Sequence, residues 1–245
     1  MEVYKYQVEP FSEDHTGRLS WGVLGNTLLR VAEHSAIRHG FGYDTMHSAG
    51  KAWVLSRLLI EMPRMPRMGE AYHVSTWVAR IYRQFTDRLF TISDSNGQVL
   101  GHAISVWALI DINTRQPVGL SEYPNPGFHA AMDTGTIPLT GFTRPKTAPD
   151  APCRTLNIVP SDLDINGHVN SIRYLQMATD SIYNIYGLDI NACRPRRVEM
   201  TYVAETFYGD SLTVRAEAKS PGGEYHALLT RSDGTAAARA VAFFN

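Results

Sequence analysis

The densest cluster of polar side chains in this 245-residue chain lies between Ser161 and Asn170, where the sequence reads SDLDINGHVN. Asp164, Asn166 and His168 occupy alternate positions, so in an extended segment their side chains would share one face. A helical pattern follows directly, and the positive end of a helix favours the oxyanion of an acyl-transfer intermediate. A carboxylate, an amide and an imidazole beside such a site could cleave an ester or a thioester.

The same cluster fits two other interpretations. Asp162, Asp164, Asn166 and Gly167 match the opening ligands and the glycine of an EF-hand calcium loop. Residue 173, where that loop needs a bidentate glutamate, is an arginine, which would repel the ion. The third interpretation is purely structural, because Asp and Asn before a helix commonly cap it or form turns. The histidine two residues beyond the asparagine weakens the structural interpretation without removing it.

Two helices with matching apolar stripes open the two halves of the chain. Residues at helical spacing predict one helix that ends near Gly40 and a second that ends near Gly187. We interpret the stripes as the faces by which the helices lie on sheets. The stripe residues are Trp21, Leu24, Leu28, Val31 and Ser35 in the first helix, and Ile172, Leu175, Ala178, Ile182 and Ile185 in the second.

Alternating strand patterns follow each helix and share two turn signals at a nearly constant offset. Gly69-Glu70 corresponds to Gly209-Asp210, and the hairpin signal at residues 94–97 corresponds to Asp233-Gly234. One helix followed by antiparallel strands, twice over, predicts a duplicated α+β fold with each helix lying across a curved sheet.

A proline-rich segment separates the two halves. Prolines are dense between Tyr123 and Pro152, which prevents a sheet ladder or a long helix. We therefore expect an N-terminal domain over residues 1–122, a linker over residues 123–150 and a C-terminal domain over residues 151–245.

The composition argues against several classes of protein. A formal net charge of −1 gives no sign of a nucleic-acid partner or of a membrane surface. No segment has the length of a membrane span and the N-terminus resembles no signal or transit peptide, so we expect a cytoplasmic protein. Cys153 and Cys193 form neither a disulfide framework nor a CxxC metal pair, and we expect both to be inert. No G-x-S-x-G occurs, so nothing supports a serine nucleophile.

Several motifs together resemble the acyl-ACP thioesterases of plants and bacteria. The stretch DLDINGHVNSIRYLQ is similar to their Asp-x-Asn-x-His signature, and VEMTYVAETFYGDS is similar to a strand that carries a Glu three residues after a Tyr, here Tyr202 and Glu205. In the first half, KAWVLSRLLIEMPRMPRMGEAYHVSTWV and ISVWALIDINTRQPV resemble the family as well. The resemblance covers nearly the whole chain, in order.

This resemblance implies two tandem hotdog domains, each an antiparallel sheet wrapped around a central helix. The implied hydrolase cleaves the thioester between a fatty acyl chain and the phosphopantetheine arm of acyl carrier protein (ACP). It thereby releases free fatty acid and terminates fatty acid synthesis. It implies no metal and no cofactor. The family's catalytic residues fall on Asp164, Asn166, His168 and Glu205.

The resemblance also indicates roles for these residues. We expect Asp164, with Glu205, either to activate water or to attack the thioester carbonyl, while Asn166 positions the water or carbonyl and His168 orients the carboxylate. Backbone N–H groups around residues 167–169 would stabilise the oxyanion, and Glu205 should lie within a water's reach of the cluster. Many plant members have a cysteine after that glutamate. Thr206 stands here, which excludes a Cys–His mechanism in an active chain.

The first half lacks the catalytic set, since Asp14 and His15 are adjacent there with no Asn between them. The family implies that this half shapes acyl-chain selection. Because ACP is acidic, local cations should steer it, and a homodimer is compatible with the sequence. The candidate cations are Arg64, Arg67, Arg173, Arg194, Arg196 and Arg197.

Three other functions compete with this interpretation. An acyl-CoA thioesterase would use the same chemistry on a different carrier, and a non-hydrolytic acyl-binding hotdog protein would share the fold alone. A hotdog dehydratase would need its own His/Asp or His/Glu arrangement. The sequence does not indicate the acyl chain length.

Overall fold

The computed structural model describes residues 1–220 and 223–245 and divides the chain into two compact units, Met1–Thr140 and Gly141–Asn245. None of the helices in the described part of the chain combines the length and the apolar character that a bilayer span requires. In the part of the chain that the structure describes, each unit has one long helix, five strands and at least one short helical segment.

Unit 1 contains an antiparallel sheet of five strands in the order β1-β3-β4-β5-β2. Its long helix α1 contacts β3. The elements are β1 (Glu2–Gln7), α1 (Trp21–Arg38), α2 (Tyr43–Ser48), β2 (Lys51–Glu61), β3 (Ala71–Tyr82), β4 (Phe85–Asp94), β5 (Val99–Asp111) and α3 (Pro126–Ala130).

Unit 2 repeats this arrangement, with strands in the order β6-β8-β9-β10-β7. Its long helix α4 contacts all five strands. The elements are β6 (Cys153–Asn157), a single 3-10 turn (Pro160–Asp162), α4 (Ser171–Tyr186), β7 (Pro195–Tyr202), β8 (Ser211–Ala218), β9 (Glu224–Arg231) and β10 (Ala236–Phe244). The two units therefore share one topology, which confirms the predicted duplicated α+β fold.

Both long helices bury most of the predicted stripes, with Trp21 and Ile185 half-buried, and both use local caps. In α1, Leu24, Leu28 and Val31 are fully buried, and the Ser20 side chain accepts a hydrogen bond from the Val23 amide. In α4 the Asn170 side chain accepts from the Ile172 amide, and Gly187 ends the helix in the left-handed conformation that glycine adopts without strain. The predicted ends near Gly40 and Gly187 are confirmed.

Segment 123–150 carries no strand, and its two parts pack on different units. Phe128 of α3 lies within core aromatic rings of unit 1, with its ring centroid 5.1 Å from that of Phe41 and 5.7 Å from that of Trp53. Trp77 of β3 donates its indole N–H to the Gly135 carbonyl. The first part is thus built into the core of unit 1.

The second part of the segment is hydrogen-bonded across the sheet of unit 2. The amides of Thr143, Lys146 and Ala148 donate to the side chains of Glu199, His226 and Glu217. These three acceptors lie on strands β7, β9 and β8 in one cross-strand row, in which Val241 of β10 completes the register. We call Glu199, Val241, His226 and Glu217 the linker row.

Candidate active site

Asp164, Asn166 and His168 lie in a tight turn, so the expectation of an extended segment with one shared face is wrong. Oδ1 of Asp164 accepts hydrogen bonds from the amides of Asn166 (2.8 Å) and His168 (3.3 Å). A β-bridge between Leu163 and Val169 closes the turn. Aspartate bonds readily to amides two residues on, and Gly167 at φ 75° permits the reversal, so local turn chemistry overrides the alternation.

The backbone amides of this turn are already engaged, which contradicts the expectation that they bind an oxyanion. The Gly167 amide donates to the Asp164 carbonyl at 3.0 Å, and the Val169 amide donates to the Thr206 carbonyl at 2.9 Å. The His168 amide points to the Asp164 carboxylate. The side chain of Asn166, by contrast, is exposed and makes no hydrogen bond within residues 1–220 and 223–245. Its amide is therefore available to a substrate carbonyl.

His168 and Glu205 meet although they are far apart in sequence. Nδ1 of His168 lies 3.3 Å from Oε1 of Glu205, which confirms the expected proximity of Glu205 to the cluster. A bridge between His168 and Phe207 joins the turn to the segment after β7, and the Phe207 ring packs edge-on against the imidazole at 5.1 Å. The side chains are 24% and 37% exposed, so substrate and water can reach the pair.

The segment that carries Glu205 is held from both sides. Arg231 donates to the Glu205 carbonyl at 3.2 Å, and the Tyr202 hydroxyl donates to the carbonyl of Ser171 at the start of α4. Burial raises the pKa of Tyr202, so that hydroxyl remains a donor at neutral pH. These bonds fix the Glu205 segment relative to the turn.

Two buried hydroxyls lie beside this segment. Thr206 is fully buried, and neither its hydroxyl nor that of Tyr174 makes a hydrogen bond within the described residues. Burial raises the pKa of Tyr174, against a smaller lowering by the nearby Thr206 hydroxyl. A buried threonine with no base bonded to it has no activated nucleophile.

Unit 1 contains the same turn without the catalytic side chains. Oδ1 of Asp14 accepts from the amides of Thr16 (2.8 Å) and Arg18 (3.3 Å), and the Gly17 amide donates to the Asp14 carbonyl. Asp14 thus holds its turn as Asp164 does. The spacing Asp-x-x-Gly in both halves was a sequence signal for this repeat.

The residues at the other positions differ in unit 1. The matched bridges pair Arg18 with Arg67 where unit 2 pairs His168 with Phe207. Thr16, Arg18 and Met65 therefore stand where unit 2 has Asn166, His168 and Glu205. Asp164 is the one member of the predicted set whose equivalent is retained, so part of its role is to shape the turn.

Arg173 has a partner inside the chain. Its Nε and Nη2 lie 2.9 and 2.7 Å from Oδ1 of Asp162, whose side chain is only 2% exposed. Nη1 donates to Gln176. These are the first and last positions of the calcium-loop alternative, and here they form an ion pair. The sequence did not reveal Asp162 as this partner, because the two lie on different elements.

The other candidate docking cations differ in their surroundings. Arg64 pairs with Glu70 at 2.8 Å, and Arg67 is exposed beside it. Arg196 is exposed, whereas Arg194 has a buried Nε and reaches the Asn191 carbonyl. Arg197 is 11% exposed and bonds to Glu199 of the linker row and to the Gly141 carbonyl. Arg64, Arg67 and Arg196 are thus the exposed members of the six, and Arg64 is paired with Glu70.

A partly open cavity of about 60 Å³ lies in unit 1 between α1 and the sheet. Apolar side chains dominate its wall, as in most small-molecule sites. It is lined by Leu29, Ala32, Glu33, Ala36, Phe41, Trp53, Val78, Thr86, Arg88 and Trp107. Sequence reasoning did not find this site, since its residues come from six separate segments.

The two units are tandem hotdog domains, each an antiparallel sheet wrapped around a central helix, as the solved structures below show. Models of the acyl-ACP thioesterase N-terminal and C-terminal domains match residues 2–123 and 150–245. The chain therefore belongs to the acyl-ACP thioesterase family.

Individual proteins agree with this assignment. The crystal structure of an acyl-ACP thioesterase from Bacteroides thetaiotaomicron is 38% identical, with a TM-score of 0.90 over 100% of this chain and 97% of that chain. The 12:0-ACP thioesterase from Umbellularia californica shares the fold, with a TM-score of 0.86 at 18% identity over 100% of this chain and 96% of that one.

Curated plant relatives are more distant and longer. An acyl-(acyl-carrier-protein) hydrolase of Cuphea viscosissima is 25% identical over 71% of this chain, and oleoyl-acyl carrier protein thioesterase 1 of Arabidopsis thaliana is 29% identical over 65% of it. The matched part spans 49% and 48% of those two relatives, so the chain covers about half of their length.

Proposed function

We propose that this chain hydrolyses the thioester of fatty acyl-ACP and releases a free fatty acid and ACP. Membership of the acyl-ACP thioesterase family supports this activity. The observation that carries the proposal is the contact of His168 with Glu205 at 3.3 Å, in a turn that also carries the exposed Asn166. A carboxylate–imidazole pair next to an uncommitted amide donor is suited to activating water against a carbonyl.

The proposed mechanism uses a water nucleophile. Glu205, paired with His168, accepts the water proton as the oxygen attacks the thioester carbonyl carbon. The Asn166 amide donates to the carbonyl oxygen and stabilises its developing negative charge. The C–S bond then breaks, and the proton returns through His168 to the pantetheine thiolate.

Asp164 has two functions in this mechanism. Its Oδ1 holds the turn that presents Asn166 and His168. Its other carboxylate oxygen makes no hydrogen bond in the described part of the chain, and we assign it to the same water. This division explains why unit 1 retains an aspartate in a turn that has no catalytic partners.

We assign the acyl chain to the cavity of unit 1, which gives the N-terminal domain (residues 1–122) selection and the C-terminal domain (residues 151–245) catalysis, with residues 123–150 as linker. Burial of apolar surface would supply most of the affinity for the chain. ACP is the proposed partner, and Arg67 and Arg196 are its first candidate contacts because both are accessible. The cytoplasmic location and the homodimer remain predictions.

The decisive experiment measures thiol release from matched acyl-ACP and acyl-CoA panels. We expect turnover of acyl-ACP that is lost in His168→Gln and Glu205→Gln. His47→Gln, an exposed histidine of α2, is the matched control and should behave as the unmodified protein. Release from acyl-CoA alone would indicate the CoA alternative. Tight acyl binding without thiol release would indicate a non-hydrolytic binding protein.

A further inference from the structure

Arg88 is a buried cation in an otherwise apolar face of unit 1. It shares one face of β4 with Thr86, Phe90 and Ile92, all of them buried, and only 3% of Arg88 is exposed. A charge in such a position is costly unless a partner compensates it. Its presence among core residues therefore calls for a partner.

The chain gives this guanidinium little hydrogen bonding and no close ion pair among the described residues. The guanidinium makes one long hydrogen bond, from Nη1 to the Thr76 hydroxyl at 3.3 Å, and within residues 1–220 and 223–245 no carboxylate reaches ion-pair distance from it. Burial lowers the pKa of Arg88 to about 10, so the group remains charged at neutral pH. Most of its five N–H donors are thus left for something else.

Arg88 lines the cavity of unit 1, and so does Glu33 of α1. Glu33 uses Oε1 to accept the Tyr43 amide at 2.7 Å, while its second oxygen makes no hydrogen bond in the described residues. Glu33, Glu2 and Tyr4 all act on the charge of Arg88. Glu2 is engaged with the Tyr4 hydroxyl and lies 3.4 Å from His39. The cavity thus presents a cationic donor and an anionic acceptor together.

We propose that this cavity selects an acyl chain that carries a hydroxyl group, which accepts a hydrogen bond from Arg88 and donates one to Glu33. A hydroxyl can do both at once, whereas a carboxylate would face the negative charge of Glu33 and an unsubstituted chain would leave both groups without a partner. This inference rests on the proposed function, which places the acyl chain in this cavity, and it names the substrate class.

The test is equilibrium binding of non-hydrolysable acyl-pantetheine amides, which separates recognition from hydrolysis. One series has a hydroxyl moved stepwise along the chain, and the controls are the unsubstituted and the carboxyl-terminated chains of the same length. At its best position the hydroxylated probe should bind about tenfold tighter than the unsubstituted one, as expected for a hydrogen bond to a charged group.

Arg88→Met should abolish the preference and tighten binding of the unsubstituted probe. The variant should fold, because replacing an uncompensated buried charge by an apolar side chain is neutral or stabilising, and its melting temperature checks this. Arg80→Met is the matched control, since Arg80 is 72% exposed and paired with Asp87. It should keep the preference.

Three results would overturn the inference: no hydroxyl position that binds better than the plain chain, an unchanged preference in Arg88→Met, or tightest binding of the carboxyl-terminated probe. The preference should persist in His168→Gln, which is designed to lose hydrolysis. A persisting preference with no thiol release from any acyl-ACP in the unmodified protein would defeat the proposed thioesterase activity and leave the binding inference standing.

Discussion

The two functions of Asp164 can be separated by comparing Asp164→Asn with Asp164→Ala. Asparagine keeps an oxygen that can accept from the amides of Asn166 and His168, whereas alanine removes both bonds. Two hydrogen bonds on a partly exposed loop contribute about 1–2 kcal/mol in total. In a chain of this size, that loss lowers the melting temperature by roughly 2–8 °C. Asp164→Asn should melt within about 1 °C of the unmodified protein.

Unlike the melting temperature, the activity should fall in both Asp164→Asn and Asp164→Ala. Both variants lose the carboxylate, so kcat/KM for acyl-ACP should fall about a hundredfold or more in each. Asp14→Ala is the internal control, because Asp14 makes the same two backbone bonds in unit 1 and one more to the Thr16 hydroxyl. It should lower the melting temperature at least as much and leave kcat nearly unchanged. Turnover by Asp164→Asn within about threefold of the unmodified protein would contradict the catalytic role, since the carboxylate would then only shape the turn.

The pair Glu205 and Thr206 gives a further prediction. Glu205→Gln should reduce kcat/KM by about 10²–10⁴ in steady-state kinetics, while Thr206→Val, which removes a buried hydroxyl without a partner, should keep activity and stability. A larger loss of kcat/KM in Thr206→Val than in Glu205→Gln would indicate a nucleophile at position 206. Arg173→Gln should lower the free energy of unfolding by about 1–3 kcal/mol in urea titrations, because it leaves buried Asp162 without its cation. An effect confined to KM for acyl-ACP would instead indicate that Arg173 contacts ACP. Burial raises the pKa of Tyr4 to about 12 from its ordinary value of 10.0, so the folded state binds more protons between these pH values than the unfolded state does. Stability should therefore fall as pH rises through that window. Tyr4→Phe should lose less stability there, and an equal loss would contradict the assignment.

The repeated fold was predictable because its signals are local. Gly69, Gly97, Gly209 and Gly234 all have φ between 80° and 86°, a conformation that favours glycine, so turns recur wherever these residues recur. The alternation of polar residues predicts an extended segment at residues 164–168, which is wrong because Asp164 bonds to its own following amides and Gly167 reverses the chain. The Asp-x-x-Gly spacing, which also occurs at Asp14, indicates the turn.

Other parts of the site depend on contacts that no local pattern encodes. The sequence around Arg88 does not distinguish it from an arginine on an exposed strand face. Its burial depends on which face of β4 packs against the core. The pairing of Arg173 with Asp162 likewise joins two separate elements, α4 and the 3-10 turn. The family motif predicts Glu205 as a catalytic residue. Its contact with His168 depends on the β-bridge between His168 and Phe207, which brings two distant segments together.

The linker row limits which substitutions the segment before β6 can tolerate. The sheet binds this segment through the amides of Thr143, Lys146 and Ala148, and the Thr143 hydroxyl adds a second bond to Glu199. Those three positions therefore cannot become proline, which has no N–H. Pro145 lies between Thr143 and Lys146, and Pro149 follows Ala148, so neither proline occupies a position whose amide binds the sheet. An isolated C-terminal fragment that began at residue 151 would leave buried Glu199 and His226 without these donors, so a stable fragment should begin before Thr143.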